Sequence, residues 1–256
     1  MIEIPLIAII TGVLTISVRL SGLMLFAPFF GSVAIPARVK AILVLAFTLL
    51  LYPTVGKSLE ARALADWPLL VFTEFLVGVG IGIATNVVFE AVQLAGQVLG
   101  IQMGYSLVNI LDPQTQVDTP VVSMFYQSIA LLLFLQMDVH YWLLRALGNS
   151  FRYVPPGSAH IGSLFTVAIF KTVGEIFSLG VQIAAPVLSA TLAADIILGL
   201  LGKAAPQMPL MLLGPAIKSL LGIGILIATL RYWPDLFRRL FTEAVTNGER
   251  LFHLAG

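Results

Sequence analysis

The sequence predicts an all-α, multi-helix integral membrane protein, and three observations point that way. Of 256 residues, 59% are hydrophobic and only 11% are charged, with a mean hydropathy of +1.00. A soluble domain usually carries about a quarter charged residues, so an aqueous fold of this length could not hide so much apolar surface. The apolar runs are long and lack the alternation of a transmembrane barrel strand. Between them stand short segments of proline, glycine and polar residues, where helical hairpins turn or kink.

In chain order, "MIEIPLIAII" has no positive n-region, so the first apolar segment is expected to remain in the mature protein. That run covers residues 4–35, interrupted by Arg19, Gly22 and Pro28. It is too long for one straight crossing, and Pro28 with Gly31 should kink or end it. "IPARVK" is a basic turn, 41–52 a second span and 57–67 a polar connector. A third helix should start near Pro68 and run to about Tyr105, carrying Glu74, Asn86, Glu90, Gln93, Gln97 and Gln102. After a polar loop, Pro120 can open the next helix at its first position. "VVSMFYQSIALLLFLQM" is the cleanest membrane candidate, and "DVHYWLLRALGNSF" reads as an amphipathic helix at a boundary.

"RYVPPGSAHIG" is a loop. A helix over 163–185 carries Lys171 and Glu175, and Pro186 should break or kink the chain before another helix through Asp195 to Lys203. "KAAPQMP" is a turn, and 210–230 is the last apolar span, with Gly214-Pro215 and Lys218 inside it. From Trp233 an amphipathic helix places Trp233, Leu236, Phe237, Leu240, Phe241, Ala244, Leu251 and Phe252 on one face. No internal repeat is visible. The chain reads as one domain over 1–256, with a helical membrane region to 232 and a terminal amphipathic helix over 233–256.

Several functions find no support. A net charge of +1 gives no electrostatic footprint for nucleic acid. With no cysteine there is no disulfide, thiolate metal site or cysteine nucleophile. His140, His160 and His253 are isolated and none lies in an H-E-x-x-H pattern. "GYSLV" lacks the second glycine of a nucleophile elbow. "GVGIG" lies inside an apolar helix with no preceding strand, so it is not a phosphate loop. Asp112 and Asp118 read as a turn opener and a solvated loop acid rather than an acid–base pair. No enzyme activity, metal or cofactor is expected.

Arg19, Glu74, Glu90, Lys171, Glu175, Asp195, Lys203 and Lys218 stand in or at the edges of apolar helices. Each costs roughly 2.5–3.5 kcal/mol at a helix centre in lipid. They should therefore pair within a bundle, contact neighbouring subunits or line a polar conduit. Lys171 and Glu175 are four apart and can pair, though in the less favourable order. Small residues at four-residue spacing, Gly78 with Gly82 and Gly96, Gly100 with Gly104, should form helix-packing stripes.

The residue order then becomes specific. "EAVQLAGQVLGIQMGYSLVNILDPQTQVDTPVVSMFYQ", "IPARVKAILVLAFTLLLYP", "LGVQIAAPVLSATLAADIILGLLGKAAPQMP" and "LLGPAIKSLLG" together closely resemble the FliR family of flagellar biosynthetic proteins. More distantly, they are similar to the matching subunit of virulence-type type III secretion systems. The resemblance covers nearly the whole chain. Pro209 departs from the small polar residue usual at that position, which bears on the local turn only.

The resemblance implies a non-enzymatic structural role in protein export. Such proteins assemble with FliP-like and FliQ-like subunits into a helical, pore-forming gate in the inner membrane at the flagellar basal body. FlhB-like and FlhA-like membrane proteins lie below, and flagellar polypeptides pass through. The helices would then pack into a hetero-oligomeric assembly. The loop between the central helices would plug the pore; here it maps to Tyr105, Ser106, Leu107, Val108, Asn109, Ile110, Leu111, Asp112, Pro113, Gln114, Thr115 and Gln116. A polar loop tolerates irregular backbone where it lines a cavity; an exposed connector is the plainer reading. The competing function is a polytopic secondary transporter or ion channel using Glu74, Glu90, Asp195 and Lys171, against which the missing repeat counts.

Overall fold

The computed structural model describes residues 3–32, 34–55, 67–105, 121–155, 158–159, 162–207 and 210–255. Every regular element among them is a helix: α1 (Glu3–Phe26), α2 (Ala37–Val55), α3 (Trp67–Gln102), α4 (Val121–Gln136), α5 (Val139–Tyr153), α6 (Ser163–Ala204), α7 (Leu210–Thr229), a 3-10 turn (Leu230–Tyr232) and α8 (Trp233–Ala255). Five helical stretches are long and apolar enough to cross a membrane.

The first apolar run is not one helix through residue 35. It stops at Phe26, and Phe29 takes a positive φ of 67° in the turns that follow. Pro28 explains this, because it lacks an amide hydrogen and its ring blocks continuation. Lys40 Nζ caps the turn by donating to the Gly31 carbonyl at 3.0 Å. The break expected at Pro186 is absent: α6 runs through it for 42 residues. Apolar helices absorb a proline when neighbouring helices and local adjustment re-satisfy the freed backbone; Pro53 and Pro215 likewise lie inside α2 and α7. The chain does turn at Asp138, which adopts the left-handed region (φ 57°) between α4 and α5.

The structure divides into two compact units. The first comprises 1–87, 138–174 and 241–256. Its α1 packs against α2, and α1 lies so close to α3 that backbones touch. A Cβ added at Gly22 would meet the Phe75 carbonyl oxygen at 2.5 Å, and one at Gly78 would fall on the Arg19 carbonyl. Leu20, Leu23, Met24, Val77, Ile81, Leu143, Leu147 and Phe241 fill the core. Gly248 of α8 lies against Ile81 and Ala84 of α3.

The second unit comprises 88–137 and 175–240. Gly96 of α3 meets the backbone of Ser123 in α4, and Gly180 of α6 lies where a Cβ would be 3.1 Å from the Ala91 carbonyl. Phe89 and Phe134 meet edge to face, and Tyr126 stacks at a tilt on Trp233. The amphipathic helix expected from Trp233 buries its apolar stripe: Trp233, Phe237 and Leu240 in this unit, Phe241, Ala244 and Leu251 in the first.

Candidate functional site

The first unit encloses a complete polar cluster. Arg19 on α1 and Glu74 on α3 are both fully buried, with Arg19 Nη2 2.6 Å and Nε 2.7 Å from Glu74 Oε2. Both terminal nitrogens find further acceptors. Nη1 donates to Ser150 Oγ at 3.0 Å and Nη2 to the Val154 carbonyl at 3.1 Å, while the cation stands 4.2 Å over the Phe151 ring. A buried charge without a partner costs several kcal/mol, and here one carboxylate, one hydroxyl, one carbonyl and one ring satisfy the cation. Gly22 and Gly78 flank the pair and let the backbones approach. The cluster welds α1, α3 and α5 together. Sequence reading found both charges but not their pairing, nor Ser150, Val154 and Phe151. The available signal was a serine on the buried face of an amphipathic helix.

The second unit holds a more open cluster. Lys218 Nζ on α7 is 2.9 Å from Asp195 Oδ1 on α6, with side chains 18% and 42% exposed. Gln102 Nε2 at the end of α3 donates to Asp195 Oδ2 at 2.8 Å. Two of the charges suggested for neighbouring subunits are thus satisfied within the chain.

The remaining charges differ. Glu90 lies exposed on α3, Lys171 and Lys203 are exposed on α6, and Glu175 is half-buried. The pair expected between Lys171 and Glu175 does not form; neither makes an ion pair within 4.0 Å. With Lys preceding Glu, the helix dipole gives this order little help.

The end of α3 explains how the chain enters the polar loop. Tyr105 N–H donates to the Gly100 carbonyl at 3.0 Å and Gly104 N–H to that of Ile101 at 3.0 Å, with Gly104 at φ 87°. This is a Schellman stop, which needs a left-handed residue and therefore favours glycine. Gly104 is also packed: a Cβ there would come 2.8 Å from Pro215 Cβ on α7. Ser219 Oγ donates to the Met103 carbonyl at 2.9 Å, and Gly222 makes room for the Met103 side chain. Gly104 therefore serves first as a helix terminator, while Gly96 and Gly100 are buried within α3 and Gly78 and Gly82 lie against α1. Ser106, Leu107, Val108, Asn109, Ile110, Leu111, Asp112, Pro113, Gln114, Thr115 and Gln116 lie outside the described residues; Tyr105 is half-buried. No three His, Asp or Glu side chains gather as metal ligands among the described residues.

Long apolar helices, backbone-close glycine contacts and charges spent on structural pairing define an all-α, multi-pass membrane protein. Residues 10–244 match the family model described as bacterial export proteins, family 1. The chain is 28% identical over 246 residues to the flagellar biosynthetic protein FliR of Bacillus subtilis (strain 168), covering 95% of each chain. It is 29% identical over 226 residues to FliR of Escherichia coli (strain K12), covering 88% of this chain and 86% of that one. To FliR of Pectobacterium carotovorum it is 32% identical over 226 residues, 88% and 87% of the two chains. The chain belongs to the FliR family of bacterial export proteins. It is a component of the flagellar export apparatus and a multi-pass inner-membrane protein.

Proposed function

We propose that the chain is a non-enzymatic wall subunit of the export gate, forming the channel with FliP-like and FliQ-like subunits at the flagellar basal body. FlhB-like and FlhA-like proteins would lie below, and flagellar polypeptides would pass through. The observation that carries this reading is uncovered apolar surface. Only 11% of the most apolar 18 residues of α2 and 17% of those in the span from Leu213 to Leu251 are buried within the chain, against 67% of those in α3. Lys171 and Lys203 lie exposed on apolar α6, and lipid is a costly neighbour for them. Partner helices cover apolar area and supply polar contacts together. In this reading residues 105–116 close the resting channel, anchored at the Schellman stop.

The test is copurification of the tagged chain with FliP-like and FliQ-like subunits, followed by conductance of the assembled complex with residues 108–116 deleted. The expected result is joint recovery and an ion leak in the deletion. Recovery of the chain alone refutes the gate, and joint recovery with wild-type conductance refutes the plug.

A further inference from the structure

The first unit carries a cleft that the ion-pair cluster does not use. It measures about 290 Å³ and lies between α5 and α8, lined by Trp142, Arg145 and Asn149 on one side and by Thr242, Thr246 and Glu249 on the other. On each helix the lining residues recur at helical spacing beside a separate apolar stripe. Leu143, Ala146 and Leu147 of α5 and Phe241, Ala244 and Leu251 of α8 are buried, so the cleft is a second face of both helices and not a gap in the core.

Its charges are arranged unusually. Arg145 and Glu249 carry opposite charges into one cleft, yet they are more than 4.0 Å apart and form no ion pair. Neither they nor Asn149 has a hydrogen-bond partner among the described residues. The Thr246 hydroxyl is already spent on the Thr242 carbonyl at 2.8 Å. What the cleft offers is a guanidinium and an amide on the α5 wall and a carboxylate on the α8 wall. A guanidinium matches a phosphate through two parallel N–H donors. A carboxylate is acceptor-only and matches a group with N–H donors, such as a primary ammonium.

We propose that this cleft binds a phosphate–ammonium zwitterion, and that its source is a membrane phospholipid with an ethanolamine head group. Arg145 and Asn149 take the phosphate and Glu249 takes the ammonium. The membrane source rests on where the helices fall in the chain. Amphipathic α5, which carries Trp142, Arg145 and Asn149, is separated from the end of apolar α4 by two residues. Trp142 is 36% and Tyr141 61% exposed at the start of α5, and such aromatics belong at the head-group level. The cleft lies within the first unit, and the proposal does not depend on a gate.

The test uses the full-length chain, with whatever subunits copurify, reconstituted in a bilayer of equal phosphatidylethanolamine and phosphatidylcholine. Lipid retained after detergent washing is counted by native mass spectrometry. Phosphatidylethanolamine should be retained over phosphatidylcholine by roughly tenfold, because a trimethylated nitrogen has no N–H for Glu249. Glu249→Gln should abolish that preference, and Arg145→Ala should lower retention of both lipids by about tenfold. Glu243→Gln, on the same helix outside the cleft, should change neither. The comparison of the two lipids needs no variant, so it stands if a variant folds poorly. Equal retention by the wild type, or no retention because a sister subunit fills the cleft, overturns the proposal. Displacement by soluble glycerophosphoethanolamine at the same concentration as lipid overturns the membrane source.

Discussion

Glu74→Gln should be among the most damaging single substitutions in the first unit. It keeps the shape of the side chain but removes the negative charge 2.6 Å from a guanidinium with no solvent exposure. Ser150, the Val154 carbonyl and the Phe151 ring remain, but none of them carries a charge to balance the cation. Breaking a buried pair by removing one partner costs about 3–5 kcal/mol, a large share of the 5–15 kcal/mol typical of a folded protein. For a chain of this length that is a fall in Tm of about 6–20 °C.

Replacing both charges, Arg19→Met with Glu74→Leu, removes the uncompensated ion. Of the partners described above, the Val154 carbonyl loses its donor at about 1–3 kcal/mol, while Ser150 Oγ still donates to the Leu147 carbonyl at 2.6 Å. Apolar packing in place of the pair offsets part of that loss. The double variant should therefore be more stable than either single one, with a coupling energy above about 2 kcal/mol. The assay is thermal unfolding of the purified chain in detergent, followed by circular dichroism. If the double variant loses as much as the two single variants summed, the charges are not coupled and the clamp reading fails.

Gly78→Ala should cost about 1–3 kcal/mol, since its Cβ meets the Arg19 backbone, which cannot yield like a side chain. Gly148→Ala, with nothing within 4 Å, should instead gain about 0.5–1 kcal/mol from helix propensity; the same melts check both. Lys218→Leu should shift stability by less than about 1 kcal/mol, because the pair with Asp195 is partly exposed, and Asp195→Leu should cost more in the same melts, because it also deprives Gln102 Nε2 of its acceptor. Gly100→Leu places a large side chain at a buried position of α3 and should reduce pulldown of FliP-like and FliQ-like subunits; normal recovery with full motility would sink that expectation.

Much of the helical outline was legible because apolar runs and turn residues are local signals. Trp233 onward is the clearest case: a stripe of large apolar residues against arginines could only be an amphipathic helix. Pro186 is where the sequence misleads: a proline reads as a break, yet α6 continues through it, as apolar helices can. Arg19 and Glu74 were legible as costly charges but not as partners, since 55 residues separate them and nothing local specifies the crossing of α1 and α3. Glycines show the same limit. Gly78 and Gly148 look alike in the sequence, yet one is pressed against a backbone and the other faces open space.

The length of α6 bears on where the protein can reside. Forty-two residues at about 1.5 Å each extend roughly 63 Å, about twice the 30 Å hydrocarbon thickness of a bilayer. Fitting that rod within the hydrocarbon by leaning alone would need an inclination of about 60°, beyond the 0–40° that membrane helices adopt. The surplus is not a polar stem rising into water, because Leu164, Val167 and Phe170 near one end and Ile196, Ile197 and Leu200 near the other are all exposed. Whichever portion lies among acyl chains, a comparable stretch of bare leucine, valine, isoleucine or phenylalanine lies beyond them, and in the proposed gate that stretch would be the part covered by partner helices.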